Sequence, residues 1–375
     1  MTHKRVLVLL FGGRSSEHSI SCATAGGVLG ALDRDRYDVI PVGITRDGAF
    51  VLERDDPTAF ALDPHSMPEV RDDGSRVRWP ESVRSRELTV ERDGVVTSLG
   101  EVDVVFPILH GLWGEDGTVQ GLLELTGIPY VGSGVLGSAL GMDKHFTKTV
   151  LQAAGIEVAP WVTVTREQWE REQDVVADSL RGLGSPLFVK PARAGSSVGV
   201  TKITSAEGLS GALDVAFAED GKALIESAIA GREVEIGVLG ARPGERARAS
   251  VAGEILVTEG GFYDFDAKYL DAPGVELVCP ADLTDEELAE MQSLAVRAFE
   301  AIDCAGLARV DFFLTADGWV VNELNTMPGF TPISMFPKVW QASGFSYPQL
   351  IDELIELALQ RTPVDETARE RRDRG

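Results

Sequence analysis

The chain is 375 residues long and carries 35 Lys and Arg against 59 Asp and Glu, a formal net charge of −24. At 44% hydrophobic and 25% charged it has the make-up of a folded protein of two or three domains, which excludes disordered and collagen-like classes. So acidic a chain argues against a nucleic-acid surface, which needs a basic patch, and any anionic ligand has to be met by a local concentration of its few Lys and Arg. Three scattered cysteines, Cys22, Cys279 and Cys304, form no disulfide framework, and no C-x-x-C or H-E-x-x-H motif offers a zinc site.

Residues 5–11 read as one continuous apolar strand, too short for a signal-peptide core or a membrane span. Nowhere do 18 apolar residues run together, so the expectation is a soluble, cytoplasmic protein without a membrane partner. A Gly-Gly-Arg-Ser-Ser turn leads from that strand into a helix starting near Glu17. Residues 37–44 and 102–109 read as further buried strands and 117–125 as a short helix; unbroken apolar runs suit a parallel sheet covered on both faces. Residues 53–100, with Pro57, Pro64, Pro68 and Pro80 among many charges, read as a long solvated excursion that has room for one hairpin and to which no function is assigned. The expected units are 1–140, an α/β domain; 141–232, a central α+β unit; 233–365, a second α+β unit; and 366–375, a charged, frayed tail.

In the central unit, residues 142–154 are expected to be helical, 186–190 a strand, and 194–199 a glycine/serine turn into a strand over 198–203. A helix over 206–218 and a strand over 223–227 follow. The last unit opens with a strand over 233–239 and has a helix over 285–302, announced by Thr284 and Glu287 as a capping box. It ends in an antiparallel pair over 306–314 and 318–325.

That pair is the most informative segment. Alternate residues of a strand share a face, so Arg309 and Asp311 go together, as do Glu323 and Asn325. A two-residue turn at Ala316-Asp317 would set Asp311 opposite Asn322; a three-residue loop over 316–318 pairs Asp311 with Glu323 and Arg309 with Asn325. The three-residue loop is the expectation. It gathers two carboxylates and an amide oxygen, a hard-cation site suited to magnesium held jointly with phosphate. The alternative is two amphipathic strands with solvated polar faces, which the flanking Phe312, Phe313, Trp319, Val320 and Val321 disfavour, since carboxylates buried among them need a cation.

Lys190 ends an apolar strand just before a loop of small residues, Ala194-Gly195-Ser196-Ser197, as a phosphate cradle would; a Gly/Ser hairpin loop would look the same. Lys144 at a helix start is a second phosphate candidate, against the ordinary reading of a solvated lysine. Glu226 and Glu233, one ending a strand and one after a short turn, suit the ribose and base-edge contacts of a nucleotide pocket, although surface charge explains either alone.

Taken in order, these pieces resemble the ATP-grasp superfamily and, within it, the bacterial D-alanine–D-alanine ligases. The stretches that carry the resemblance are FGGRSSEHSIS, HGLWGEDGTVQG, MDKHFTK, VKPARAGSSVGVTK, YDFDAKYLDA and ARVDFFLTADGWVVNELNTMPGFTPIS, spread from the first strand to about Arg361. The resemblance implies a Rossmann-like N-terminal domain, two α+β subdomains that clamp ATP, two Mg²⁺ or Mn²⁺ ions, two D-alanine substrates and a homodimer. It implies that Glu17 holds the ammonium of the first D-alanine, with Ser196 and Tyr269 tying a closing loop (about 260–271) over the site, and that His110 lies near the same substrate. Lys144 and Lys190 would bind phosphate, with Lys268 reaching phosphate or substrate from the closing loop. Asp311, Glu323 and Asn325 would be the metal ligands, Arg309 and the Gly329 N–H the oxyanion site, and Ser334 the binder of the second carboxylate. Ser227 departs from relatives that carry lysine there, and the excursion at 53–100 is longer than in shorter members.

Two rivals stand beside this reading. A sister ligase would make D-alanyl-D-lactate or D-alanyl-D-serine, although Asp266-Ala267-Lys268-Tyr269 resembles the dipeptide-forming type. A non-catalytic ATP-binding module would keep the fold, but the complete acidic set and both lysines are costly to bury without a ligand.

Overall fold

The computed structural model describes residues 4–61, 66–257 and 275–361. Lys268, Tyr269 and the closing loop lie outside the described residues, as does the tail from 362.

The first sheet forms around Arg5–Gly12, with Tyr37–Ile44 and Val104–Ile108 parallel to it on either side and the short strand Phe50–Leu52 antiparallel at one edge. Leu7 to Phe11 have no exposed surface, because helices cover one face of the sheet and a second, small sheet closes the other. This is why the strand reads as unbroken apolar sequence. The described part of 53–100 is more regular than a solvated excursion. Glu87–Arg92 and Val95–Glu101 form the hairpin, Arg76–Arg78 adds a third strand, and Val77, Leu88 and Val90 pack under the parallel sheet. Three buried residues spread over 14 positions are too sparse a signal for sequence periodicity.

The helix expected over 142–154 is present as Lys144–Ala153, and a separate helix the sequence reading did not assign, Val135–Met142, precedes it, the two divided at Asp143. Asp143 accepts N–H bonds from His145 and Phe146, so its carboxylate caps the second helix where a continuous one would have passed through. The second sheet, in order Thr201–Ile203, Leu187–Pro191, Lys222–Ser227 and Trp161–Thr165, is antiparallel throughout and packs on the helix Leu209–Glu219. The strand expected from 198 starts only at Thr201, because Ser196, Ser197 and Gly199 all have positive φ and curl the chain into a turn.

The third sheet runs Val275–Val278, Arg248–Val257, Arg232–Leu239, Leu307–Thr315, Gly318–Asn325. Behind it lies the helix Asp285–Ala301, started by the Thr284/Glu287 capping box. The final helix, Tyr347–Gln360, returns to the first sheet, where Leu350, Ile351, Leu354 and Ile355 join Leu7, Val28 and Phe106 in one core.

The turn between Leu307–Thr315 and Gly318–Asn325 corrects the expected loop. Thr315 pairs with Gly318, so the turn has two residues, Ala316 and Asp317. A β-bulge at Asn322 then adds one residue to the second strand, and beyond it Asp311 faces Glu323 and Arg309 faces Asn325. The bulge restores the pairing that the longer loop had been invoked to provide.

Candidate active site

A cleft of ≈ 370 Å³ opens where the three main sheets meet. Glu17 enters it from the turn at the carboxyl end of the central parallel strand, the usual ligand side of such sheets. Its loop is pinned by His18, which donates from Nδ1 to the Gly13 carbonyl (2.6 Å) and accepts at Nε2 from the Val70 N–H (2.9 Å). The segment 53–100 thus has a structural task that its sequence did not disclose. Ser196, in the turn of the second sheet, donates to Glu17 Oε1 at 2.5 Å, the contact the family resemblance implied. Both loops come this close because Gly111 and Gly195 carry no side chain: a Cβ on either would sit 2.8 or 2.9 Å from Glu17 Oε2.

On the nucleotide side, Lys190 and Lys148 both reach Glu226, the latter at 3.1 Å. Lys148 is 2% exposed and Glu226 5%. Burial lowers the Lys148 pKa; for Glu226 burial pushes upward, but the two ammonium groups outweigh it and hold the carboxyl below its usual range. Glu226 is therefore a buried counter-ion between two lysines. Lys144 Nζ donates to the Ala194 carbonyl (2.7 Å), tying its helix to the serine turn, and Glu233 lines the cleft opposite. Lys148 was missed by the sequence reading although the signal was present: it lies four residues after Lys144 and so shares a helix face with it.

The acidic ribbon holds more than expected. Glu235, Asp311 and Glu323 pair in register across three adjacent strands, forming one row of carboxylates. Like charges directly opposite one another destabilise a sheet unless a cation sits among them. Here Arg309 supplies it, bonding Asp311 through Nε and Nη2 (2.7 Å each) and reaching Glu235 at 3.2 Å. Asn325 donates its amide to Asp311 at 3.0 Å, and rotation of that amide presents its oxygen instead. Among the described residues no cluster of three His, Cys, Asp or Glu forms a metal cage. Asp311, Glu323 and Asn325 fit a magnesium ion that keeps water and phosphate oxygens in its shell.

His110 and Glu115 complete the wall. His110 is buried, which lowers its pKa and keeps the ring neutral; Nδ1–H donates to the Met327 carbonyl (3.2 Å) and Nε2 is buried at the cleft wall without a hydrogen-bond partner among the described residues. Such a buried acceptor fits a ligand N–H or O–H. The Glu115 pKa is pushed up to about 8, by burial first and then by the charge of Glu17. Gly329 lines the cleft. Ser334 does not: it heads the helix Met335–Ala342 and shares a 2.7 Å hydrogen bond with Thr331.

Comparison with known proteins agrees with this geometry. Residues 6–133 match the family model described as D-ala D-ala ligase N-terminus, and 150–356 the one described as D-ala D-ala ligase C-terminus. D-alanine--D-alanine ligases of Pseudarthrobacter chlorophenolicus and Streptomyces avermitilis are 52% and 51% identical; each match covers 95% of this chain and 94% of the relative. Among solved structures, a D-Ala:D-Ser ligase from Enterococcus faecalis superposes with a TM-score of 0.81 at 34% identity, covering 95% of this chain and all of that one. The D-alanine-D-alanine ligase of Coxiella burnetii gives 0.79 at 35%, covering 98% and 97%. With both halves of the chain matched, the sheets arranged as in ATP-grasp enzymes and Glu17, Ser196 and the acidic ribbon facing one cleft, the chain belongs to the D-alanine–D-alanine ligase family.

Proposed function

We propose that the protein joins two D-alanines into D-alanyl-D-alanine, using ATP, as a step in making peptidoglycan precursors. The observation that supports this most directly is one cleft lined by a carboxylate suited to an amino group (Glu17 with Ser196), three lysines, and a paired acidic ribbon beside Arg309.

In this reading ATP lies between the second and third sheets, with its phosphates toward Lys144, Lys148 and Lys190 and its ribose toward Glu233. Glu226 keeps the lysines in place. Two magnesium ions, held by Asp311, Glu323 and Asn325, would neutralise phosphate charge when bound. Glu17 takes the ammonium of the first D-alanine and so aims its carboxylate at the γ-phosphate. ATP and that carboxylate repel each other. At an effective dielectric near 20 one unit charge at about 4 Å contributes on the order of 4 kcal/mol, so the clustered cations decide whether the two anions meet. Phosphoryl transfer gives D-alanyl phosphate. The amine of the second D-alanine then attacks the acyl carbon, Arg309 with the Gly329 N–H meets the developing oxyanion, and its collapse breaks the C–O bond to expel inorganic phosphate as the peptide bond forms; losing one such donor typically costs roughly a hundred- to a thousandfold. Ser334 would orient the second carboxylate only if the segment before its helix shifts toward the cleft. A homodimer and a cytoplasmic location belong to the same proposal; no helix among the described residues is long and apolar enough to cross a membrane.

The test is phosphate release from ATP with D-alanine, L-alanine, D-serine or D-lactate, products identified by mass. Release dependent on D-alanine, with the D,D-dipeptide as main product, is expected. Preference for D-serine would move the chain to the activity named for the Enterococcus faecalis neighbour, and ATP binding without turnover would make it a binding module.

A further inference from the structure

The loop that follows the acidic ribbon has no regular structure from Thr326 to Phe330, yet it carries the Gly329 N–H. Its position therefore depends on how its ends are held. At Phe330 the hold is hydrophobic and polar together: the ring is fully buried against Phe106, Phe336 and Tyr347, and the Tyr347 hydroxyl donates to the Phe330 carbonyl at 2.6 Å. At Met327 the hold comes from the N-terminal domain. The His110 ring donates to the Met327 carbonyl (3.2 Å), and Glu115 Oε1 accepts from the Met327 N–H (3.2 Å). Glu115 Oε2 meanwhile accepts from the Gly111 N–H (2.7 Å). One carboxyl group thus bridges the backbone of the His110 loop to the backbone two residues before Gly329. Ser15 fixes the same loop from the other side, donating to the His110 carbonyl at 2.7 Å.

From these bonds we infer that Glu115 is a positioning residue for the oxyanion-binding Gly329 amide, clamping the catalytic loop of the last subdomain to the domain that binds the first substrate. The inference rests on the ligase reading above. Its physical content is that a carboxyl group can accept two N–H bonds at once, whereas the amide of glutamine has one oxygen and turns its NH₂ toward the second donor. Glu115→Gln therefore loses one of the two bridges while keeping size and shape. A donor displaced by a fraction of an ångström loses little in ground-state binding and much at the transition state.

The experiment uses the full chain and three readouts. In Glu115→Gln, kcat is expected to fall by up to about a hundredfold, with KM for ATP and for D-alanine within about twofold of wild type. Affinity for a phosphinate dipeptide analogue, whose tetrahedral phosphorus presents the oxyanion, is expected to fall with kcat. Glu115→Asp, which keeps the carboxyl group but withdraws it by one methylene, is expected to show the same split. Backbone hydrogen exchange over 326–334 is expected to quicken in both variants. Unchanged exchange there, or kcat and phosphinate affinity near wild type in both variants, would overturn the clamp. The exchange measurement needs no turnover, so a wild-type chain that fails to make dipeptide would sink the ligase reading while the clamp is still judged by itself.

Discussion

Glu323 decides most at the scale of single residues. Its carboxylate faces Asp311 across the hairpin, and the half-buried side chain leaves little for the fold to lose on becoming an amide. Glu323→Gln is expected to lower D-alanine-dependent phosphate release by at least about a hundredfold with a thermal midpoint close to wild type. Turnover near the wild-type rate would remove Glu323 from the metal site.

Glu115 makes a pH prediction at the same scale. Its pKa rises from 4.5 to about 8 on folding, through burial and the nearby Glu17, with Glu323 adding to the shift and Gly111 and Met327 N–H groups opposing it. A carboxyl with a raised folded pKa keeps its proton in the native state where the unfolded chain has lost it, so unfolding releases that proton between pH 4.5 and about 8. The contribution is neutral below that window and increasingly destabilising as pH climbs through it. Wild type should therefore lose thermal stability relative to Glu115→Gln between pH 5 and pH 8, to about the folded pKa. A gap between the two melting curves that does not change with pH would contradict the assignment.

Among elements, the ribbon shows what sequence could and could not convey. Alternation put Arg309 with Asp311 and Glu323 with Asn325, and a three-residue loop was expected to set the correct partners opposite one another across the hairpin. The means was different: a two-residue turn followed by a bulge at Asn322. A bulge leaves no residue signature when no glycine is needed for it, and Asn322 looks like any strand residue. Glu235 escaped for a related reason. It became part of the site only through pairing with a strand 76 positions later, which no local pattern reports. Lys148 was legible from helical spacing and was overlooked; Glu17, Ser196, Lys190 and the acidic set were carried by their motifs.

The same sheet offers an element-scale test. The strand Arg232–Leu239 packs on the helix Met335–Ala342, and a Cβ on Gly237 would meet Trp340 Nε1 at 2.5 Å and Phe336 Cε2 at 3.1 Å. Gly237→Ala is expected to destabilise the protein by about 1–3 kcal/mol in chemical denaturation, as overpacking a closed core does. A neutral result would mean that the helix can withdraw at no cost.

For the whole molecule, the order of units along the chain and their packing differ. The helix Tyr347–Gln360, the last among the described residues, completes the core of the first sheet and so ties this late segment to the first strand. Leu350, Ile351, Leu354 and Ile355 have no exposed surface. Uncovering them forfeits about 1.5–3 kcal/mol each, a sum comparable to the whole stability of a typical domain. A chain shortened to end before Ser346 is expected to accumulate as aggregate; recovery as a soluble protein with wild-type melting would contradict that packing. The sequence reading assigned no element to 347–360, although its apolar residues recur at helical spacing, and the partner of that helix, the first sheet, lies more than 200 positions away and left no local sign.

The molecule carries a net charge of −24, yet its cleft gathers three lysines and an arginine, balanced by Glu226 and by a row of three carboxylates. On this account the excess negative charge at the ribbon is reserved for divalent cations that arrive with the nucleotide. Mn²⁺ binding to the full chain, measured with saturating ADP by electron paramagnetic resonance, tests that claim most directly. Two ions per chain are expected in wild type, with weakened binding in Glu323→Gln; no nucleotide-dependent Mn²⁺ binding, or equal binding by the two proteins, would contradict it.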